Sequence, residues 1–99
     1  MTSQKLTSQQ QSFLSDYLQD IIDSKDDSFA KCDDTDFVSC VSGMEFDSEI
    51  NYTDCRIAKN LNKKGLFSYF FICYDSIFGV YIQFSFSEVG ALTLSRMRH

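Results

Sequence analysis

Carboxylates are the side chains this sequence offers in quantity for chemistry. Twelve of its fourteen Asp and Glu residues fall between Asp16 and Asp54, against two bases there, Lys25 and Lys31, which leaves that stretch a formal charge of about −10. Paired carboxylates work as a glycosidase dyad only where a cleft raises the pKa of one member, and no segment here suggests a cleft. Calcium is the second chemistry open to them. An EF-hand loop wants acids at positions 1, 3 and 5, glycine at 6 and glutamate at 12. Counted from Asp34, Asp36 falls at position 3, but Val38 and Ser39 take positions 5 and 6, so Glu45 at position 12 stands alone. What remains is a one-sided field. It attracts basic surfaces and repels nucleic acid.

Nucleophiles fare no better. Cys32, Cys40, Cys55 and Cys73 form no C-x-x-C pair, and His99 is the sole histidine. An internal base for a Ser/His or Cys/His pair is therefore missing, as is the partner for a mixed zinc site. Cys40 and Cys73 lie in apolar runs and read as small buried hydrophobes; Cys32 and Cys55 read as exposed thiols. Gly43, Gly65, Gly79 and Gly90 are too dispersed for a phosphate-cradling loop. The expectation is a protein that is not an enzyme, with no metal and no cofactor.

These residues need elements to position them. Residues 1–6 read as a flexible polar arm. Thr7 followed by Gln10 is a capping-box pattern. Behind it Phe13, Leu14, Tyr17, Leu18, Ile21 and Ile22 recur at the spacing of one helical face, predicting an amphipathic helix of about 17 residues with Asp16, Asp20 and Asp23 on its outer side. Asp23, Asp26 and Asp27 then crowd the negative end of that helix, at about 0.3–1 kcal/mol per charge.

From residue 26 to residue 54 acids alternate with isolated hydrophobes. Asp36–Val41 reads as a short strand turned at Ser42-Gly43, with Met44–Asp47 pairing back, or else as a long loop pinned by aromatics. Thr53–Lys64 fits a helix capped by Thr53 or Asp54 and closed by Gly65, in preference to a strand entering a turn.

Leu66–Tyr74, Ile77–Phe86 and Ala91–Met97 read as strands of a meander. Phe78, Val80, Ile82, Phe84 and Phe86 alternate onto one buried face, leaving Ile77, Gly79, Tyr81, Gln83 and Ser85 on the other. The first strand is apolar on both faces, with Phe67, Tyr69, Phe71 and Cys73 opposite Leu66, Phe70, Ile72 and Tyr74. Such a strand wants covering twice, by the chain itself or by another molecule.

The length suits one domain, residues 1–99. The fold class is α+β: an N-terminal amphipathic helix packed on a small antiparallel sheet, with a C-terminal three-strand meander. No secretory pattern or membrane-length apolar run is visible, so a cytoplasmic location is expected. The function that fits is a small acidic protein-binding inhibitor of a partner with a basic functional surface, above all a toxin-immunity protein against a nuclease-type toxin. One alternative is a phage-encoded nucleic-acid mimic that inhibits a host defence enzyme. Another is a homo-oligomeric structural or adaptor domain, for instance a homodimer. The expected partner-binding residues are Asp26, Asp27, Asp33, Asp34, Asp36, Glu45, Asp47 and Glu49, with Tyr69 and Tyr81 as aromatic anchors. The partner is a basic protein; direct nucleic-acid or membrane binding is not expected.

Overall fold

The computed structural model describes residues 5–25, 27–77 and 79–98, with the backbone alone at Asp27 and Ser28. The elements in order are α1 (Ser8–Asp23), α2 (Asp27–Lys31), α3 (Asp34–Ser42), β1 (Phe46–Glu49), α4 (Tyr52–Lys63), β2 (Phe67–Asp75), β3 (Gly79–Phe86) and α5 (Glu88–Met97). The class is α+β, with the N-terminal helix on a three-stranded antiparallel sheet of order β1-β3-β2.

The capping box starts α1. The Gln10 amide donates to Thr7 Oγ1 at 3.1 Å and the Thr7 amide to Gln10 Oε1 at 3.0 Å, satisfying two groups the first turn would leave bare. Phe13, Leu14, Leu18 and Ile21 are buried along one stripe. The Tyr17 ring meets Phe84 edge-on at 5.2 Å, which seats the helix on the sheet. The end of the expected arm is anchored: Leu6 packs against the core, and the Lys5 carbonyl accepts from Lys64 Nζ at 2.7 Å. Residues 1–4 lie outside the described residues.

The first part of the acidic segment folds as two short helices, α2 and α3, where a strand or a loop was expected. Asp33 caps α3, accepting from the Asp36 amide at 2.8 Å. Phe37 and Val41, four residues apart, are both fully buried. Six residues of apolar text were too few to separate period 2 from period 3.6, and the Asp33 cap decides for the helix. Asp27 is the first residue of α2. Strand β1 begins two residues later than expected and pairs with β3, not with residues 36–41.

Helix α4 forms as favoured. Asn51 is its cap, accepting from the Asp54 amide at 2.8 Å, in place of Thr53 or Asp54. Gly65 follows its end with φ +83°, a conformation that side chains with a Cβ rarely adopt.

The expected third strand, Ala91–Met97, is helix α5. Ser87 accepts from the Gly90 amide at 3.1 Å and caps it. Ala91, Leu94 and Ser95 are buried at i, i+3, i+4 spacing. The meander therefore stops after the β2–β3 hairpin, and β3 takes β1 on its other side. A register shift between Phe67 and Tyr69 turns Phe67 to the buried face, opposite Phe86, while Tyr69 keeps the outer one. Phe78 lies outside the described residues. Phe84 is the centre of the core, with ring centroids of Phe67 at 4.6 Å, Phe46 at 5.2 Å and Phe86 at 5.3 Å.

Arg98, just past α5, ties α2 into the domain. Its side chain is 1% exposed. Nη1 donates to the Phe29 and Ala30 carbonyls at 3.3 and 2.9 Å, and Nη2 to the Cys32 carbonyl at 2.6 Å. The Phe29 carbonyl also accepts from the Cys32 amide and thiol at 3.4 and 3.1 Å, so the guanidinium adds to a local turn there and closes the end of α2 at Ala30 and Cys32. The guanidinium stacks on Phe37 at 4.4 Å and pairs with Asp34 at 3.5 Å.

Candidate functional site

The two faces of the sheet differ. Phe46, Ile82, Phe84, Phe86 and Phe67 point toward the helices and fill the core. The opposite face carries Asp47 and Glu49 of β1, Tyr81, Gln83 and Ser85 of β3, and Tyr69, Phe71, Cys73 and Asp75 of β2. Cross-strand rows follow from the register: Asp47, Gln83 and Phe71 in one, Glu49, Tyr81 and Cys73 in the next. Among the described residues only the end of α3 reaches this face, where the buried Ser85 hydroxyl donates to the Ser42 and Met44 carbonyls. Phe71 is 57% exposed, and Tyr69, Cys73, Tyr81 and Gln83 are half-buried.

Aromatic rings form its middle and carboxylates its rim. Tyr69 and Phe71 lie 5.6 Å apart between centroids. The Tyr69 hydroxyl donates to Glu45 Oε1 at 3.2 Å. Asp75 closes the far end, where its Oδ1 accepts from the Ile77 amide at 2.7 Å and shapes the hairpin turn ahead of Gly79 at φ +82°. Asp47, Glu49, Asp75 and Tyr81 line an open hollow of about 380 Å³. None of the three strands contains Lys, Arg or His. The field is therefore of one sign.

The phenols register that field. Partial desolvation raises the Tyr69 pKa, and the Glu45 hydrogen bond and the Glu45 and Asp47 charges raise it further. Tyr81 is raised by its contact with the Cys73 thiol, then by desolvation and the Asp75 and Asp47 charges. Both stand as protonated donors at neutral pH.

The sequence-derived residues divide into two groups. Glu45, Asp47, Glu49, Tyr69 and Tyr81 come together on this face. Asp33, Asp34 and Asp36 do not belong to it: Asp33 is a helix cap, Asp36 sits in the first turn of α3, and Asp34 faces Arg98 and accepts from the Ser95 hydroxyl. Asp26 lies outside the described residues, and of Asp27 only the backbone is described. Phe71, Gln83 and Asp75 were missed. Strand alternation already places Phe71 on one face with Tyr69 and Gln83 on one with Tyr81, but neither was included among the expected contact residues. The outer side of α1 is also less ordinary than its pattern suggested: Asp16 and Asp20, with Asp54 of α4, line a hollow of about 170 Å³ beside Tyr17, Ser48 and Glu49.

Among the described residues no group of three or more His, Cys, Asp or Glu is placed to hold a metal ion. The four cysteines are free. Cys55 is the buried one, on the inner stripe of α4, whereas Cys40 and Cys73 are half-buried; strand alternation turns Cys73 to the open face. Among the described residues no helix is long and apolar enough to cross a membrane. The class defined by this geometry is an α+β domain with one open, aromatic, acid-rimmed sheet face. No known family, curated protein or solved structure matches the chain.

Proposed function

We propose that this chain is a small acidic protein-binding inhibitor, acting in the cytoplasm as a binding module and not as an enzyme, that neutralises a partner with a basic functional surface. A toxin-immunity protein against a nuclease-type toxin is the setting that fits best. The observation carrying the proposal is the outer sheet face: three half-open aromatic side chains inside a rim of four carboxylates, on strands without one basic residue. Aromatics supply desolvated anchors, and carboxylates stand where a nuclease binds phosphates. The same field repels nucleic acid itself.

The test is capture of partners from the source cell at about 50 mM salt, elution up to about 500 mM, and a nuclease assay of the eluted protein with the chain added back. Salt-sensitive capture, nuclease inhibition, and loss of both in the Asp47→Lys/Glu49→Lys double variant are expected. Capture indifferent to ionic strength, or unchanged in the double variant, would overturn the reading.

A second reading, a homodimer, has one specific observation behind it. Tyr74 and Ile77 at the β2–β3 hairpin are 78% and 83% exposed, beside the edge of β2, which has no strand neighbour among the described residues. Sedimentation at micromolar concentration separates the two.

A further inference from the structure

The inhibitor reading leaves open how a partner would engage this domain, and the edge of β1 bears on that. Among the described residues β1 has a strand neighbour on one side only. The Ile50 amide donates to the Val80 carbonyl at 3.2 Å, so the hydrogen-bonded pairs alternate through Ile50, Ser48 and Phe46. Asp47 and Glu49 then occupy the non-hydrogen-bonded positions opposite Gln83 and Tyr81. Their N–H and C=O groups point away from β3, along the open edge. The Glu49 carbonyl takes the Ser48 hydroxyl at 3.3 Å, a weak contact that a better donor would displace.

Carboxylates flank this edge on both sides of the sheet plane. Asp47, Glu49 and Asp75 stand around the outer hollow. Asp16, Asp20 and Asp54 stand around the inner one, which shares Ser48 and Glu49 with it. Neither α1 nor β1 carries a base beside Asp16, Asp20, Asp47 and Glu49, whereas α4, which supplies Asp54, also carries Arg56, Lys59 and Lys63. A second copy of β1 would be repelled by this arrangement, which is one way that proteins protect an edge. A basic strand would be drawn in. The edge of β2 differs: its outward backbone groups belong to Phe70, Ile72 and Tyr74, with one carboxylate nearby, Asp75.

We propose that the β1 edge receives an extended, lysine- and arginine-rich segment of the partner by strand addition, its backbone pairing with Asp47 and Glu49. Successive side chains of a strand point to opposite faces. Consecutive basic residues would therefore meet Asp47 and Glu49 on one side and Asp16, Asp20 and Asp54 on the other. Backbone pairing supplies register, and the two carboxylate sets supply selectivity for a run of bases. This inference rests on the inhibitor reading and specifies its mode of contact.

The probe is a labelled octapeptide of alternating lysine and arginine, beside the same peptide with every second backbone amide N-methylated. Both carry the same charge. Binding is read by anisotropy at low salt, and amide hydrogen exchange of the full chain is read with and without peptide. The parent peptide should slow exchange at Asp47 and Glu49, and N-methylation should weaken binding by about tenfold or more. Asp16→Asn with Asp20→Asn should weaken it by about threefold or more, while Asp33→Asn should not. Equal binding of the two peptides overturns strand addition, as does protection at Phe70, Ile72 and Tyr74 in place of Asp47 and Glu49. If salt-sensitive nuclease capture persists in either case, the inhibitor reading stands and only this mode of contact falls. If no basic protein is captured, the inhibitor reading itself falls.

Discussion

Replacing Arg98 by Met should be among the most damaging single changes in this chain. The methionine keeps most of the side-chain volume and removes the charge and the fork of donors. Three carbonyls at the end of α2, those of Phe29, Ala30 and Cys32, lose their charged donor. A hydrogen bond to a charged group contributes about 1.5–3 kcal/mol, so the gross loss is about 5–9 kcal/mol. Two terms reduce it. The arginine's own desolvation cost disappears with it. Asp34, whose side chain is 51% exposed, rehydrates once its partner is gone. A net loss of about 3–5 kcal/mol remains, a large part of the roughly 5–15 kcal/mol that holds a domain of this kind folded. Equilibrium urea unfolding measures it. Arg98→Lys should recover only a fraction, because one ammonium cannot reach three carbonyls and also stack on Phe37. A loss below about 1 kcal/mol for Arg98→Met would show that these carbonyls do not depend on the guanidinium, and would refute the account of how α2 is held.

Two further outcomes follow from the packing and from the Tyr17 phenol. Gly90→Ala in α5 would ordinarily gain about 1 kcal/mol of helix propensity. Here the added Cβ would stand 2.0 Å from the Leu66 carbonyl oxygen, a backbone atom with no room to move, so a loss of at least about 3 kcal/mol by urea unfolding is expected, and a variant as stable as the parent would contradict the close approach. Tyr17 has a pKa raised above 10.0, first by burial and then by the Asp54, Asp20 and Asp16 charges, with the Ser48 hydrogen bond acting the other way. A pKa raised on folding gives stability that is fully present below the unfolded value and lost as pH rises through the folded one. Urea midpoints should therefore fall with alkalinity above about pH 10, and less steeply for Tyr17→Phe; an unchanged slope would remove the phenol from that role.

The legible parts of the fold were those whose signal is local and long. Helix α1 combines a capping box with six apolar residues at helical spacing over four turns, and no tertiary contact was needed to read it. The β2–β3 hairpin was legible because eight alternating residues of β3 admit one pattern. Short elements were misread for the opposite reason. Asp36–Val41 and Ala91–Met97 carry too few apolar residues to distinguish two periods, and single caps at Asp33 and Ser87 decide them. With Ala91–Met97 a helix, β3 is left an edge for β1 to pair with.

The charge asymmetry, the shortage of histidine and the aromatic alternation of the strands belong to the sequence alone, and the proposal of binding by field and surface starts from them. Which carboxylates act together is a tertiary matter. Asp33, Asp34 and Asp36 are spent on the start of α3 and on Arg98. Asp47 and Glu49 share a hollow with Asp75, distant in the chain, because β1 and β2 flank the same strand β3. Asp16, Asp20 and Asp54 gather beside the same strand because α1 and α4 pack beneath it. Linear charge density fixes how strong the field is. Strand order and helix docking decide where it is aimed, because exposed carboxylates reinforce one another only within a Debye length, about 8–10 Å at ordinary ionic strength.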